Sequence, residues 1–372
     1  MIGLTEHTVQ SGGKTLHFSG TFHPSDVEIL LKPAEIAQTD IAEKELLIQS
    51  GRKHYSEMLS PEKVPDERYM QLYREAMARN AGRLKGDIHT LATQIARRPE
   101  TTQECVIISL ARAGTPIGVL LKRALENEGV VVHHYSVSII RGRGIDINAL
   151  KLIKSRHGSD SSIFVDGWTG KGAIKRELDQ SISQADIGFK SYLAVVADPA
   201  GRADLAATTE DYVIPSGLLN GIVSGLISRS VLTEHLVGPD DFHACLFQED
   251  HRPHDITNGF LDAVGIADSE VGGISWTPAI ATQARMDSIR LVQALMDFAN
   301  VTDINRIKPG IAEATRAILR RVPDLVLVRD VKDPEIQHML HIAAKSGVEV
   351  LERDLYNYRA VTIIKKLNGE QE

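Results

Sequence analysis

The sequence predicts an α/β protein: a parallel-sheet core, a helical cap before it and a small α/β/α unit after it. Three observations carry this. From 102 to 213 short apolar runs alternate with stretches of helical spacing, the pattern of successive βαβ units. Two of those runs, at 106–110 and 162–165, end in small-residue turns that restart as helices. The tail from about 305 repeats the alternation on a smaller scale, beyond a boundary at Gly272-Gly273.

In chain order, 1–20 reads as an arm or small hairpin, and Ser25 is placed to cap a short helix. The stretches 36–59 and 65–97, rich in Glu, Lys, Arg and Ala, read as the helical cap. Strands are expected at 105–110, 131–140, 162–166, 190–197 and 210–214, and helices at 115–127, 147–156 and 171–184. A helix at 218–228, a strand at 242–248 and a helix at 282–298 follow. The tail reads as a capped helix at 307–318, strands at 325–329, 348–352 and 361–364, and a helix at 334–346. The expected units are 1–100 (arm and cap), 101–268 (core) and 280–372 (terminal domain).

The chain has 372 residues, 42% hydrophobic and 24% charged, ordinary for a globular protein with two cores. Aromatic residues at 5% argue against a base-stacking surface as the main activity. No apolar run approaches the roughly 20 residues of a membrane span, and no basic start with an apolar core marks a secretory signal. Two cysteines, Cys105 and Cys245, make no disulfide framework, so a reducing, cytoplasmic setting is expected. A net charge of -7 argues against general nucleic-acid affinity, although the tail from Asp303 is balanced, with 12 basic and 11 acidic residues.

The chemistry concentrates in two turns. Phe164-Val165-Asp166-Gly167-Trp168-Thr169-Gly170-Lys171-Gly172-Ala173 takes a buried strand into a helix, which gathers unpaired backbone N–H groups at a helix N-terminus. That suits a phosphate, and Asp166 at the strand end can hold ribose hydroxyls, directly or through Mg²⁺. It is not a Walker A loop, which would need Gly where Val165 stands and Ser or Thr where Gly172 stands. The second turn, Ala111-Arg112-Ala113-Gly114, adds an arginine to a similar cradle. Two such loops at the ends of parallel strands fit the rule for ligand sites in open α/β sheets.

Other residues are candidates. Arg141 and Arg143 sit between glycines after a strand, as in a mobile cationic loop that closes over an anion. Ser216, Asn220, Ser224 and Ser228, spaced by four with Arg229 adjacent, would share a helix face and offer an acceptor site. Asp241 and His243 can help bind or deprotonate an acceptor. Both cysteines lie in apolar runs, where a free thiol behaves as a small hydrophobe. No metal cage is evident from histidine spacing: His133 and His134 point to opposite faces, and His338 and His341, three apart, have no carboxylate at metal-site spacing and read as surface residues.

Leu110-Ala111-Arg112-Ala113-Gly114 and Val165 to Ala173 resemble the pyrophosphate loop and the ribose 5-phosphate loop of type I phosphoribosyltransferases. A single acid, with Gly167 where a second is usual, and Lys171 inside the phosphate turn depart from that pattern. From about Ser19 to Val264 the chain is similar to a divergent phosphoribosyltransferase family found with bacterial tellurite-resistance and stress-response genes, whose members carry the label StiP-type cysteine protease. Gly20-Thr21-Phe22-His23-Pro24-Ser25-Asp26-Val27, His54 to Leu59, Ile214 to Asn220, Ser224 to Arg229 and Asp241-Phe242-His243 carry this resemblance with the two loops. Members end in a Pelota-like RNA-binding domain, which the α/β/α tail also resembles, with Lys308, Gly310, Glu313 and Arg316 at its RNA-contact turn and Ala312 where Asn is usual.

The resemblance implies a Rossmann-like phosphoribosyltransferase core that transfers ribose 5-phosphate from phosphoribosyl pyrophosphate (PRPP), with Mg²⁺, to a nucleobase-like acceptor. Ala111, Arg112, Ala113 and Gly114 would hold pyrophosphate, and Thr169, Gly170, Lys171, Gly172 and Ala173 the 5-phosphate. Arg141, Arg143 and Asp166 would be catalytic, with Asp166 also the metal ligand. RNA at the terminal domain and a homodimer are the further partners it allows, with no membrane. Two alternatives stand beside this reading: a non-catalytic PRPP or nucleotide regulator, and a cysteine peptidase.

Overall fold

The computed structural model describes residues 17–101, 103–270 and 275–367. The expected arm before residue 17 and the boundary at Gly272-Gly273 lie outside them.

Strand β1 (Glu28–Leu30) opens the described chain, followed by β2 (Lys32–Pro33), helix α1 (Ile41–Gln49) and the long helix α2 (Glu67–Ala96). The core continues with β3 (Glu104–Ala111), α3 (Gly114–Asn127), β4 (Val131–Ile140), β5 (Gly144–Ile145), α4 (Ile147–His157), β6 (Ser162–Trp168), α5 (Ala173–Ala185), β7 (Leu193–Ala197), β8 (Leu205–Thr208), β9 (Ala244–Cys245) and α6 (Thr257–Ile266). The terminal unit follows with α7 (Pro278–Phe298), β10 (Ile307–Pro309), α8 (Ile311–Arg320), β11 (Pro323–Val328), α9 (Gln337–Lys345), β12 (Glu349–Glu352) and β13 (Ala360–Ile364).

The main sheet has strand order β1-β4-β3-β6-β7-β8, all parallel, with β5 turned back antiparallel on β4. Strands β3, β6 and β7 are covered on both faces, which is why they read as unbroken apolar runs. Helix α2 buries Tyr69, Leu72, Tyr73, Ala76, Leu84, Ile88, Leu91 and Ile95, a stripe at spacings of three and four. Asp66 caps it by accepting from the Tyr69 N–H at 2.8 Å. The terminal unit forms a four-stranded sheet, order β10-β13-β11-β12. Its Ile311, Ala314, Ile318 and Met339 belong to the same apolar cluster as Leu84, Ile117, Leu218 and Phe260, so one continuous core joins the two sheets. No helix among the described residues is long and apolar enough to cross a membrane.

Several expectations are corrected. Ser25 does not cap a helix: its N–H and hydroxyl both turn to His23 Nδ1, and the chain enters β1 instead. The 36–59 helix shrinks to α1, and in place of the expected 210–214 strand the sheet has β8, five residues earlier at its start and six at its end. The 218–228 helix is absent; two short 3-10 turns, Pro215–Leu218 and Gly221–Val223, take its place, because Gly225 and Leu226 adopt positive φ. Of the 242–248 strand, only Ala244–Cys245 forms a strand, parallel to β2, while single antiparallel bridges tie Ala244 to Val231 and Phe247 to Ile227. His338 is buried against Thr315 at 2.8 Å rather than on the surface.

Candidate functional site

Counting only the core strands β3, β4, β6, β7 and β8 in chain order, the sheet reads 2-1-3-4-5, so the winding reverses between β3 and β6. The loops that leave those two strands diverge at their carboxyl ends, and a doubly wound sheet places its ligand crevice at that point. A cleft of about 330 Å³ lies there, lined by Ala111, Arg112 and Ala113 from the β3 loop and by Asp166 and Trp168 to Ala173 from the β6 loop.

The β3 loop is held tightly. Gly114 opens α3 where any Cβ would come within 2.5 Å of the Val165 carbonyl oxygen. Arg112 is buried and already engaged: its guanidinium forms a two-pronged pair with Glu62 and donates to the Ile227 carbonyl at 2.6 Å. Burial alone would raise the Glu62 carboxyl, but Arg112, Arg320 and the Gly221 N–H overcome it and hold the group down at about 2. Arg112 therefore shapes the floor of the cleft more than it reaches across it.

The β6 loop divides its tasks. Asp166 accepts from the Gly167 N–H at 2.8 Å, and burial lifts its carboxyl to about 7. The Thr169 hydroxyl is spent on Asp198 at 2.5 Å, fixing the turn. A Cβ on Gly170 would meet the Glu313 side chain at 2.8 Å. Gly172, at φ 76, starts α5 without a side-chain cap, so the first-turn N–H groups at Ala173 face the cleft. Lys171 reaches the terminal unit, donating to the carbonyls of Ile304 and, at 2.8 Å, Ile307.

The loop at 141–144 is tied to α5 in this conformation. It is a tight β4–β5 turn whose Gly142 and Gly144 N–H groups donate to Glu177 at 2.6 and 2.8 Å. Arg141 stays at the cleft with its guanidinium 5.6 Å from the Tyr55 ring, whereas Arg143 turns out to pair with Glu57 at 2.8 Å.

The acceptor candidates scatter because their helix does not form. Asn220 accepts from Arg320, Ser224 donates to the Asn220 carbonyl at 3.0 Å, and Ser228 bonds the Leu246 N–H at 2.9 Å. Ser216 is buried, with no partner for its hydroxyl among the described residues. Arg229 lines the cleft beside Tyr55. Asp241 pairs with Lys32 at 2.6 Å and His243 with Ser138 at 2.8 Å, both off the cleft wall.

The terminal unit completes the site. Lys308, Glu313 and Arg316 face the cleft rather than open solvent, and Arg320 and Arg321 extend that face. Gly310, at φ 92, makes the turn into α8, whose first N–H at Ile311 donates to Asp211 at 3.0 Å. Arg316 lies 4.5 Å over the Trp168 ring. Sequence reasoning missed Lys44, Tyr55, Glu62, Arg320 and Arg321. Arg320 had a signal: it repeats Arg316 four residues on, along one helix face.

In all, ten Lys and Arg side chains and two carboxylates line the cleft. The cations repel one another in a confined space. Burial together with neighbouring cations lowers Lys44 and Lys171 to about 7 and Lys308 to about 8. The Nε atoms of Arg316 and Arg320 and one terminal nitrogen of Arg229 are buried without a hydrogen-bond partner among the described residues. Such a surface is built for an anion of several charges. A second chamber of about 570 Å³ adjoins it, sharing Lys44, Arg229, Arg320 and Arg321 and adding Tyr69, Leu218, Leu219 and Ile222.

Cys105 and Cys245 are fully buried, and burial pushes each thiol up to about 12.

Residues 20–265 match the model of the family described as tellurite-like stress resistance cysteine protease StiP, and residues 286–366 match that of the PELOTA RNA binding domain. A protein of Acinetobacter baylyi named "Cysteine protease StiP" is 41% identical over 365 residues, covering 94% of this chain and 95% of the relative. Among solved structures, a mutant hypoxanthine phosphoribosyltransferase of Trypanosoma cruzi with the product IMP is 18% identical, at TM-score 0.25 over 33% of this chain and 65% of that one. A hypothetical protein of Neisseria gonorrhoeae with bound ppGpp is 14% identical, at TM-score 0.24 over 32% of this chain and 68% of that one.

Proposed function

This chain is a member of the StiP family, and we propose that its cleft binds PRPP with Mg²⁺ and transfers ribose 5-phosphate to a nucleobase-like acceptor, releasing pyrophosphate. The observation that carries the reading is the cleft's lining, ten basic side chains against two carboxylates in a chain of net charge -7. In the reaction the bond from ribose C1 to the pyrophosphate oxygen breaks and a bond from C1 to an acceptor nitrogen forms. The nitrogen's proton leaves to pyrophosphate or water. Charge grows on the leaving group, so fixed cations beside it lower the barrier.

The N–H groups opening α5 would take the 5-phosphate, as at other helix N-termini. Arg316, Arg320 and Lys308 would face the pyrophosphate. Asp166 and Glu313 fit a magnesium ion: both are oxygen donors in the cleft, and a half-buried carboxyl held at about 7 gains from a cation. Bound there, the ion would neutralise charge developing on pyrophosphate. The second chamber, with its apolar wall, would take the acceptor, and Asn220 is the amide best placed to read its edge.

The carbonyl bonds of Lys171 favour one other reading, a ligand sensor in which phosphate at this loop loosens the terminal unit. A peptidase reading needs a thiolate, and both thiols are buried and pushed to about 12.

Calorimetric titration of PRPP with Mg²⁺ into the wild type, Asp166→Asn and Arg316→Ala tests the proposal. Removing one charged partner should weaken binding about 10-fold or more, and pyrophosphate release with an acceptor separates transferase from sensor. Failure of the folded wild type to bind PRPP would overturn the reading.

A further inference from the structure

At the amino ends of the strands, away from the cleft, three side chains converge that no local motif links. Glu104 opens β3, His133 lies on β4 and His157 ends α4. Glu104 pairs with Val131 across the sheet and Val106 with His133, so Glu104 and His133 are diagonal neighbours on one face. Glu104 Oε1 lies 3.3 Å from His157 Nδ1 and 3.8 Å from His133 Nε2. The two imidazoles sit with ring centres 4.1 Å apart. Among the described residues this is the one group of three such side chains whose ligand atoms all fall within 4.8 Å.

We propose that Glu104, His133 and His157 bind a divalent transition ion of the zinc class. Zinc holds nitrogen and carboxylate ligands at about 2.0–2.1 Å, which in a tetrahedron sets its ligand atoms about 3.4 Å apart. The Glu104 distances of 3.3 and 3.8 Å are close to that before any ion enters, and all three ligand atoms lie within 4.8 Å of one another. Two imidazoles and one carboxylate also match this ion's preferred donors, whereas magnesium prefers oxygen alone.

A second observation supports it. The remaining nitrogen of His157, Nε2, lies 2.8 Å from the Tyr135 hydroxyl. That contact directs Nδ1 toward Glu104, as hydrogen bonds to the outer nitrogen orient metal-binding histidines elsewhere. The side chains of Glu104 and His133 are 44% and 40% exposed, so an ion reaches them from solvent and a fourth position stays open to water. Strand β3 spans the sheet from Glu104 to Ala111, which puts this site roughly 23 Å from the cleft at 3.3 Å per residue. It therefore stands or falls apart from the proposed transferase reaction.

The test is calorimetric titration of ZnCl₂ into chelator-stripped full-length protein, with the Co²⁺ visible spectrum as a second readout. One saturating equivalent is expected, with the intense bands of four-coordinate Co²⁺. His133→Ala and His157→Ala should each weaken binding at least 10-fold, and Tyr135→Phe about 10-fold. His251→Ala and His254→Ala should not change it, and circular dichroism checks that every variant is folded. Absence of saturable binding, or affinity unchanged in both folded His133→Ala and His157→Ala, would overturn the proposal and leave a surface ion pair only.

Discussion

Replacing Glu62 by alanine tests how the cleft floor is held. Glu62 and Arg112 are 7% and 5% exposed in their side chains, so solvent screens the pair little. The carboxyl is depressed from 4.5 to about 2 in the folded protein. At 1.36 kcal/mol per pK unit this corresponds to about 3 kcal/mol of preference for the charged, paired state. Breaking a buried pair by removing one partner costs about 3–5 kcal/mol, since the other charge is left uncompensated. Glu62→Ala is thus expected to lose about 3 kcal/mol, read as a lower midpoint in guanidinium unfolding at pH 7.

The pH profile carries the sign. Because the folded value lies below the unfolded one, the contribution is present in full above about 4.5 and is lost as pH falls toward about 2. The gap between wild type and Glu62→Ala should be level from pH 6 to 8 and narrow in acid. The variant also frees the Arg112 guanidinium, so inorganic pyrophosphate should restore part of the lost stability. A loss under 1 kcal/mol at pH 7 would refute the pair's role, and pyrophosphate that stabilises neither wild type nor variant would refute the cleft's preference for phosphate.

Four further outcomes are expected. Asp166 titrates near 7, above its unfolded 3.8, so its own contribution to stability falls as pH rises from about 4 to 7, and Asp166→Asn should gain on wild type at pH 8 but not at pH 4 in thermal melts. Gly114→Ala drives a Cβ to 2.5 Å from the Val165 carbonyl and should cost about 1–3 kcal/mol, measured by chemical unfolding. Cys105 and Cys245 should resist iodoacetamide at pH 7.5 until denaturant is added, as mass spectrometry would show, and Cys245→Ala should leave PRPP binding unchanged. Any RNA held through Lys308 and Arg316 should be displaced by pyrophosphate in a fluorescence anisotropy titration; simultaneous, independent binding would contradict their place in the cleft.

The sequence made β3, β4, β6 and β7 legible to within three residues because they are buried along most of their length, and burial writes an apolar run, but it placed β8 five to six residues too late. It also exposed both loops: Gly172 is demanded by a positive φ, a constraint local to the chain, and Gly114 by close approach to the Val165 carbonyl. It failed where tertiary contacts decide. Polar residues spaced by four from Ser216 to Ser228 suit a helix, but Gly225 and Leu226 break it; Ser224 and Ser228 then find different partners, and the Ser216 hydroxyl has none among the described residues. Glu62 lies 50 residues from Arg112, and Glu104, His133 and His157 are 29 and 24 residues apart in turn, so no spacing rule reaches them.

The terminal unit shows the same limit with larger consequences. Read as a separate domain, it offers Lys308, Glu313 and Arg316 to solvent. In the fold, the Ile311 and Arg359 N–H groups bond Asp211, Glu335 receives Arg79, Asn80 and the Val213 N–H, and the apolar face of α8 joins the main core. These ties turn the charged face of α8 onto the crevice at the β3–β6 switch. A ligand that bridges the α5 N-terminus and Arg316 must therefore favour the docked arrangement, because it gains contacts there that an undocked tail cannot supply. By linkage, whatever favours undocking weakens that ligand by the same factor. On the proposed function the cleft and the tail would then act as one thermodynamic unit, since basic residues of α8 line the cleft at the main sheet.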